Sequence, residues 1–316
     1  MLYFICIQKG TGSGMRIIGK SVVNEGDLRG KLAINGNIEI QLFREFDYRV
    51  SIDELYKRTI AIPNIRVLAV HSPIIDGEDV NIEFVDNHDD YRRIMNTIAL
   101  ANKFAEYYNE TVKVIIHSAL ESELFIKLPS VYDTVLRFFE KALIKYPLVD
   151  ICIENVVPVK KSRIGDIYLR NNCLFDGVDL VKRLNGHFKT DRFGTVLNTC
   201  HALVTIRGFR NYFKEYPDIA ESFSLEDYFK KNKDCIKLIH LANVEDLGYN
   251  KGTHGILFKD EDMSLMNEIM DLYKKYEYDC DITIEILEND YIKNENYKDN
   301  YARLLEICKN KNILVE

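Results

Sequence analysis

Five of the seven histidines in this sequence end a short apolar run or lie shortly after one. They are His71, His117, His201, His240 and His254. A single histidine at such a position more often makes a local hydrogen bond than binds a ligand. Five of them after successive runs are more specific than any one, because neutral imidazole is a common metal ligand. The pattern therefore predicts a metal site.

Two carboxylates and an amide lie in apolar runs of the same kind. Glu154 is part of VDICIEN, Glu285 is part of DITIEIL, and Asn198 is part of VLNTCHAL. A buried carboxylate without a partner is costly, and a bound cation supplies the missing charge. Imidazole and carboxylate ligands together suit Zn²⁺, with Mn²⁺ or Co²⁺ as alternatives.

The apolar runs themselves indicate the fold. Eight of them, rich in Ile and Val, cover residues 2–8, 38–43, 65–72, 112–118, 149–155, 194–201, 236–243 and 281–288. Runs that are apolar nearly throughout are typical of parallel strands buried on both faces. Stretches with helical spacing separate them, as in 89–108 and 264–278. We therefore expect an α/β protein, a single (β/α)8 TIM barrel over residues 1–316, with a doubly wound open sheet as the alternative.

A parallel barrel would bring these polar residues together. The carboxyl ends of its strands meet at one face, and active sites of such barrels lie there. The histidines, Glu154, Asn198 and Glu285 all belong to strand ends or the loops that follow them.

One segment matches a nucleotide-binding pattern. Gly14 to Ser21 reads GMRIIGKS and fits the phosphate-loop spacing literally. A phosphate cradle needs small residues whose amides turn inward, whereas Met-Arg-Ile-Ile is bulky and apolar. We expect no nucleotide here, and interpret the segment as a loop after a first strand at 2–8.

Composition excludes some classes of protein. The net charge of −7 and pI near 5.6 disfavour broad, non-specific nucleic-acid binding, although they allow a local basic groove. The seven cysteines are scattered without a Cys-x-x-Cys pair, which predicts a reduced cytoplasmic protein and no zinc ribbon. No run has the roughly 18 apolar residues of a transmembrane helix, so no membrane partner is expected.

The order of these motifs resembles a known superfamily. HSP, HS, EN, NTCHA, HLAN, THG and IE, over residues 65–290, are similar to the xylose isomerase-like barrels, which include AP endonuclease family 2, the endonuclease IV type. The resemblance implies one to three zinc ions held by His71, His117, Glu154, His201, His240, His254 and Glu285. Asn198 stands where the family has a ligating Asp and remains a candidate ligand. Gly252 stands where a third-zinc Asp is expected.

The resemblance implies a phosphodiester hydrolase that acts on damaged DNA, for instance at an abasic site. Water activated by the metal would attack phosphorus, and Glu154 would bridge two ions. Two basic loops are the candidate phosphate contacts, with Lys160, Lys161 and Arg163 in one and Arg207 and Arg210 in the other. Solvated charged loops are the equally weighted alternative.

Two further functions remain open. A sugar or sugar-phosphate isomerase or epimerase would hold one metal on Glu154, Asn198, His240 and Glu285, with both glutamates doubling as acid–base groups. A barrel whose metal chemistry has decayed into a binding module is the second alternative, and the replacements at 198 and 252 motivate it.

Overall fold

Eight parallel strands close into a barrel in the order of the sequence. The computed structural model describes residues 14–22, 25–42, 51–73, 88–117, 129–157, 175–211, 223–244 and 258–316. The strands are β1 Ile17–Val22, β2 Asn37–Gln41, β3 Arg66–His71, β4 Val112–His117, β5 Val149–Glu154, β6 Phe193–Asn198, β7 Ile236–Leu241 and β8 Asp281–Ile284. Because β1 pairs with both β2 and β8, the predicted TIM barrel is confirmed and the open sheet is excluded.

Nine α-helices of the described part surround the barrel. They are α1 Glu25–Leu32, α2 Ile52–Ile60, α3 His88–Tyr108, α4 Pro129–Lys145, α5 Asp176–Phe188, α6 Thr199–Asn211, α7 Leu225–Asn232, α8 Met263–Lys275 and α9 Glu295–Asn310. Each amphipathic helix buries one stripe, as α5 does with Val178, Val181 and Leu184. Helix α7 begins at a capping box, in which Ser224 and Asp227 satisfy each other's backbone amides.

Alternation along the strands separates two cores. Outward residues of the strands pack with the helices in two large apolar clusters. A smaller apolar cluster fills the barrel, made of Ile18, Leu68, Ala69, Ile115, Cys152, Val196 and Leu238. Because side chains two residues apart on a strand share a face, the residues after this cluster point into the barrel one layer higher.

The first strand differs from the prediction. Ile17–Val22 closes the barrel, whereas the predicted strand at 2–8 lies outside the described residues. The interpretation of Gly14–Ser21 as a loop was wrong, because β1 begins at Ile17 and the bulky apolar residues of the segment are buried. Gly19 packs closely, since a Cβ there would lie 3.0 Å from the Tyr297 hydroxyl oxygen. The other seven predicted runs each overlap a barrel strand, and the start of each run lies within one residue of the start of its strand.

Among the described helices, none is long and apolar enough to cross a membrane. No disulfide joins the five described cysteines, Cys152, Cys200, Cys235, Cys280 and Cys308.

Candidate metal centre

One layer of inward side chains forms the site. Six strands each place a polar residue two positions after an apolar residue of the inner cluster: Lys20, His71, His117, Glu154, Asn198 and His240. The strand register holds them level, since His117 is paired with Glu154 and Asn198 with His240. Glu39 is paired with Lys20 in the same way. A ring of nitrogen and oxygen groups therefore lies at the carboxyl end of the barrel, as predicted from the strand ends.

His71, His117 and Glu154 form the first ligand group, called group A below. Nε2 of His71 lies 2.9 Å and Nε2 of His117 lies 3.1 Å from the same oxygen, Oε2 of Glu154. His71 and Glu154 are fully buried. Group A thus directs two imidazoles and a carboxylate at one point, the donor set that zinc prefers.

The tautomer of His71 tests whether a cation fits group A. Its Nδ1 lies 2.8 Å from the carbonyl oxygen of Ser72, which can only accept, so Nδ1 carries the proton. Burial and the charge of Lys20 lower the pKa of His71, so the ring is neutral. The Nε2 lone pair then faces a carboxylate oxygen at 2.9 Å. Two acceptors at that distance repel unless a cation lies between them, and group A therefore fits a divalent metal ion.

Glu154, His240 and Glu285 form the second ligand group, called group B below. Nδ1 of His240 lies 3.1 Å from Oε1 of Glu154 and 3.1 Å from Oε2 of Glu285. Burial alone would lower the pKa of His240, but Glu39 and Glu154 raise it well above its usual value. Burial alone would raise the pKa of Glu154, but His240 and His117 hold it well below. Group B is thus an ionic cluster inside the barrel.

Asn198 lies between the two glutamates. Its Nδ2 donates to Oε1 of Glu154 and to Oε2 of Glu285, both at 2.8 Å. Its Oδ1 accepts a hydrogen bond from the backbone N–H of His201 at 3.1 Å. The amide therefore donates hydrogen bonds to the two carboxylates, whereas an Asp at position 198 would present a charged oxygen to them.

His201 joins the same cluster from the start of α6. Its Nδ1 lies 2.6 Å from the carbonyl oxygen of Asn155, so Nδ1 carries the proton. This fixes the tautomer in which Nε2 holds the lone pair, as in metal-bound histidines supported by a backbone carbonyl. His254 and Gly252, the remaining positions of the predicted third zinc, lie outside the described residues.

Sequence reasoning missed two residues of the cluster, Lys20 and Glu39. Oε2 of Glu39 lies 3.0 Å from Nε2 of His240 and accepts a bond from Thr283 at 2.9 Å. Nζ of Lys20 donates to Oε1 of Glu285 at 2.5 Å. The signal for Glu39 was present, because NIEIQ is an apolar strand with a glutamate, like the strands of Glu154 and Glu285. Lys20 gave no such signal, since Gly-Lys-Ser is typical of a loop.

The predicted phosphate contacts are largely outside the described part. Lys160, Lys161 and Arg163 fall outside it, and so does the side chain of Arg210. Arg207 is described on α6, with Nη1 3.4 Å from the carbonyl oxygen of Val244. Val244 lies just after β7, so Arg207 lies near the carboxyl face of the barrel.

Solved structures with the same fold include a fusion protein described as a xylose isomerase-like TIM barrel joined to a 4-hydroxyphenylpyruvate dioxygenase, at 13% identity and a TM-score of 0.55, covering 96% of this chain and 45% of that one. AP endonuclease, family 2 from Brucella melitensis matches at 12% identity and a TM-score of 0.54, covering 88% of this chain and 95% of that one. The IOLI protein with a bound zinc atom matches at 14% and 0.56, covering 95% and 99%. L-ribulose 3-epimerase matches at 15% and 0.56, covering 94% and 97%. These likenesses confirm the predicted resemblance at the level of the fold.

Comparisons of sequence do not assign the chain to a family. No protein-family model matches it, and no curated protein matches it. The structural neighbours include an endonuclease-type protein and epimerases, so the fold is shared by both of the predicted activities. Because one fold hosts many reactions, the fold does not identify the activity, which has to be argued from the residues of the site.

Proposed function

We propose that this protein is a divalent-metal-dependent phosphodiester hydrolase that acts on DNA at abasic sites, with zinc as its metal. The observation that supports this proposal is the position of Glu154 between two ligand groups. Its Oε2 contacts His71 and His117, while its Oε1 contacts Asn198 and His240. A carboxylate that serves two adjacent cationic positions suits phosphoryl transfer, in which charge develops on several oxygens.

Group A is the part of the site that favours hydrolysis over isomerisation. A single-metal isomerase would hold its ion on Glu154, Asn198, His240 and Glu285, whereas group A offers a further position at His71 and His117, two histidines that also occur among isomerases. When bound in group A, a divalent ion supplies Lewis-acid chemistry that activates water and neutralises phosphoryl charge. Glu154 and the neutral ring of His71 hold that position, and Lys20 brings a positive charge to the adjacent carboxylates.

The remaining contacts with DNA are proposed from the sequence. Arg207 lies near the carboxyl face and is placed to meet a phosphate group. Lys160, Lys161, Arg163 and Arg210 complete the proposed basic surface. A local groove of this kind agrees with the overall acidity, since a few cations concentrated at one face can guide a phosphate backbone.

Cleavage of a defined duplex tests the proposal. A labelled oligonucleotide duplex with one abasic site is incubated with the zinc-loaded protein, and strand scission is followed by denaturing electrophoresis. We expect scission at the abasic site that EDTA abolishes. Glu154→Gln should be inactive, whereas Glu226→Gln, on the surface helix α7, should keep activity. Absence of scission at high protein concentration with added zinc would reject the hydrolase.

An epimerase of sugars or sugar phosphates is the second candidate, and group B favours it. Glu154 and Glu285 both face Nδ1 of His240 at 3.1 Å, an arrangement with two carboxylates around one position. Such a pair can remove and return a proton on carbon. Metal-dependent exchange of a ketose C–H proton with D₂O, followed by NMR over a panel of sugars, would reveal it. If neither reaction occurs, the remaining alternative is a binding module without catalytic activity.

A further inference from the structure

The ammonium group of Lys20 lies beside the carboxylates of group B, where a second metal ion would neutralise their charge. Its Nζ lies 2.5 Å from Oε1 of Glu285 and 3.6 Å from Oε1 of Glu39. The side chain is 9% exposed, and Glu39 is fully buried. Oε1 of Glu39 is buried without a hydrogen-bond partner in the described part, so the ammonium of Lys20 is its charge partner.

The groups that contact the carboxylate oxygens of group B donate hydrogen bonds to them and do not act as metal ligands. Glu285 accepts from Lys20 through Oε1 and from Asn198 through Oε2. His240 carries a proton either on Nε2, which faces Glu39, or on Nδ1, which faces Glu154 and Glu285. A metal ion needs lone pairs from the groups around it, whereas ammonium and amide groups at carboxylate oxygens already satisfy those oxygens.

Charge balance among the described residues favours a single ion. The cluster has three carboxylates, from Glu39, Glu154 and Glu285, and one ammonium, from Lys20. One dication in group A and the ammonium of Lys20 together balance the three carboxylates, and a proton on His240 would only add to the positive charge. A second dication would leave a buried excess of positive charge beside Lys20, which is costly.

We propose that the ammonium of Lys20 replaces a metal ion in group B, so that group A alone binds an ion. The inference rests on the proposed metal centre but not on the reaction it catalyses. Lys20 is then a residue that sets the number of ions. It also supplies, from the protein itself, the second positive charge of the site.

Counting zinc ions tests the inference without any substrate. Wild type, Lys20→Met and Lys20→Arg are saturated with zinc, desalted, and counted by native and elemental mass spectrometry. Lys20→Met should bind one more ion per chain than wild type, because it frees the carboxylates of group B. Lys20→Arg should match wild type, because it keeps the charge. The extra ion should disappear in Lys20→Met combined with Glu285→Gln.

Lys113→Met is the matched control. Lys113 is also a nearly buried strand lysine, 12% exposed, with Nζ 2.7 Å from Asp281 at the amino ends of the strands. Its replacement should leave the count unchanged. The same count in Lys20→Met as in wild type would overturn the inference.

If Lys20→Met does not fold, Glu285→Gln in the otherwise wild-type chain decides. An unchanged ion count supports the inference, and the loss of one ion overturns it. No zinc in wild type or in any variant would overturn both this inference and the proposed metal centre. The expected counts without cleavage of abasic DNA would reject only the proposed hydrolase.

Discussion

At the scale of single residues, Asn198 is the member of the cluster that places an amide between two carboxylates. The side chain donates to Glu154 and Glu285 at 2.8 Å, so its nitrogen faces the place where a carboxylate oxygen would bind a cation. Ligand charge sets much of the affinity of a metal site. The site of this chain should therefore bind its ion less tightly than one with an Asp at this position.

Restoring the charge at position 198 should strengthen metal binding. We expect Asn198→Asp to tighten zinc binding by roughly tenfold or more, in the range known for changes around a metal site. Without metal the variant should be less stable than wild type, because a third carboxylate would lie beside Glu154 and Glu285. Competition with a zinc chelator measures the affinity. An unchanged affinity would show that position 198 does not contact the ion, and Asn198→Ala should not reproduce the gain.

The two histidines of group A are the residues whose loss should cost the most metal affinity. His117→Ala removes a nitrogen 3.1 Å from Oε2 of Glu154, and we expect zinc binding to weaken by about a hundredfold. His187→Ala is the control, because His187 is exposed on α5 away from the strand ends. Chelator competition applies again. Equal affinities of the two variants would contradict the assignment of group A.

At the scale of elements, the closure between β1 and β8 depends on one carboxylate. Asp281 accepts from Nη2 of Arg16 at 2.8 Å and from Nζ of Lys113 at 2.7 Å, and it is 6% exposed. Burial alone would raise the pKa of Asp281, but Lys113 and Arg16 hold it well below its usual value. The first and last strands are therefore joined by an ionic contact as well as by backbone hydrogen bonds.

Removing this carboxylate should destabilise the barrel in a pH-dependent way. Asp281→Asn removes the carboxylate partner of the nearly buried Lys113 and leaves Arg16 with Glu110 alone, and we expect a loss of about 3–5 kcal/mol of unfolding free energy at pH 7. Because the folded pKa is depressed, the stabilisation is present above the unfolded value near 3.9 and is lost as pH falls below it. Urea unfolding at pH 7 and pH 3 measures both stabilities, and the gap between variant and wild type should narrow at pH 3.

A second ion pair serves as the comparison for Asp281. Asp150 and Lys237 make a contact of 2.7 Å, but their side chains are 19% and 22% exposed. Asp150→Asn should therefore cost clearly less, because water screens the cation that it leaves behind. A loss as large as that of Asp281→Asn, or a gap that does not change with pH, would contradict the role given to Asp281.

At the scale of the whole molecule, the metal and the fold should stabilise each other. The ligands of group A come from β3, β4 and β5, so one ion would link three neighbouring strands of the barrel. An ion that binds only the folded state adds about 2.7 kcal/mol of stability at a concentration one hundred times its Kd. The unfolding temperature should rise by a few degrees on addition of zinc.

Thermal unfolding with and without zinc checks this link. We expect a clear rise for wild type and almost none for Glu154→Gln, which loses the carboxylate common to groups A and B. Glu226→Gln should keep the rise, because Glu226 contacts Lys275 and Tyr276 on the surface. A zinc-dependent rise in Glu154→Gln equal to that of wild type would place the ion elsewhere.

The sequence by itself determined the barrel, the strands that follow the first, and most of the polar residues that the structure brings together as the candidate site. Buried parallel strands have continuous apolar sequences, so a histidine or glutamate at the end of such a run can be recognised from the sequence. For the same reason His71, His117, Glu154, His240 and Glu285 could be assigned before their distances were known. The family resemblance added the order in which they follow one another.

Only the tertiary structure decided which groups contact one another. Closure of the barrel brings Lys20 and Glu39, from the first two strands, to residues of the seventh and eighth, as in the contact of Lys20 with Glu285. No local pattern encodes a contact over 265 residues of sequence, since it depends on strand register and on the direction of each side chain. The orientation of Asn198 was decided in the same way, because its hydrogen bonds are made to neighbours that only the closed barrel supplies.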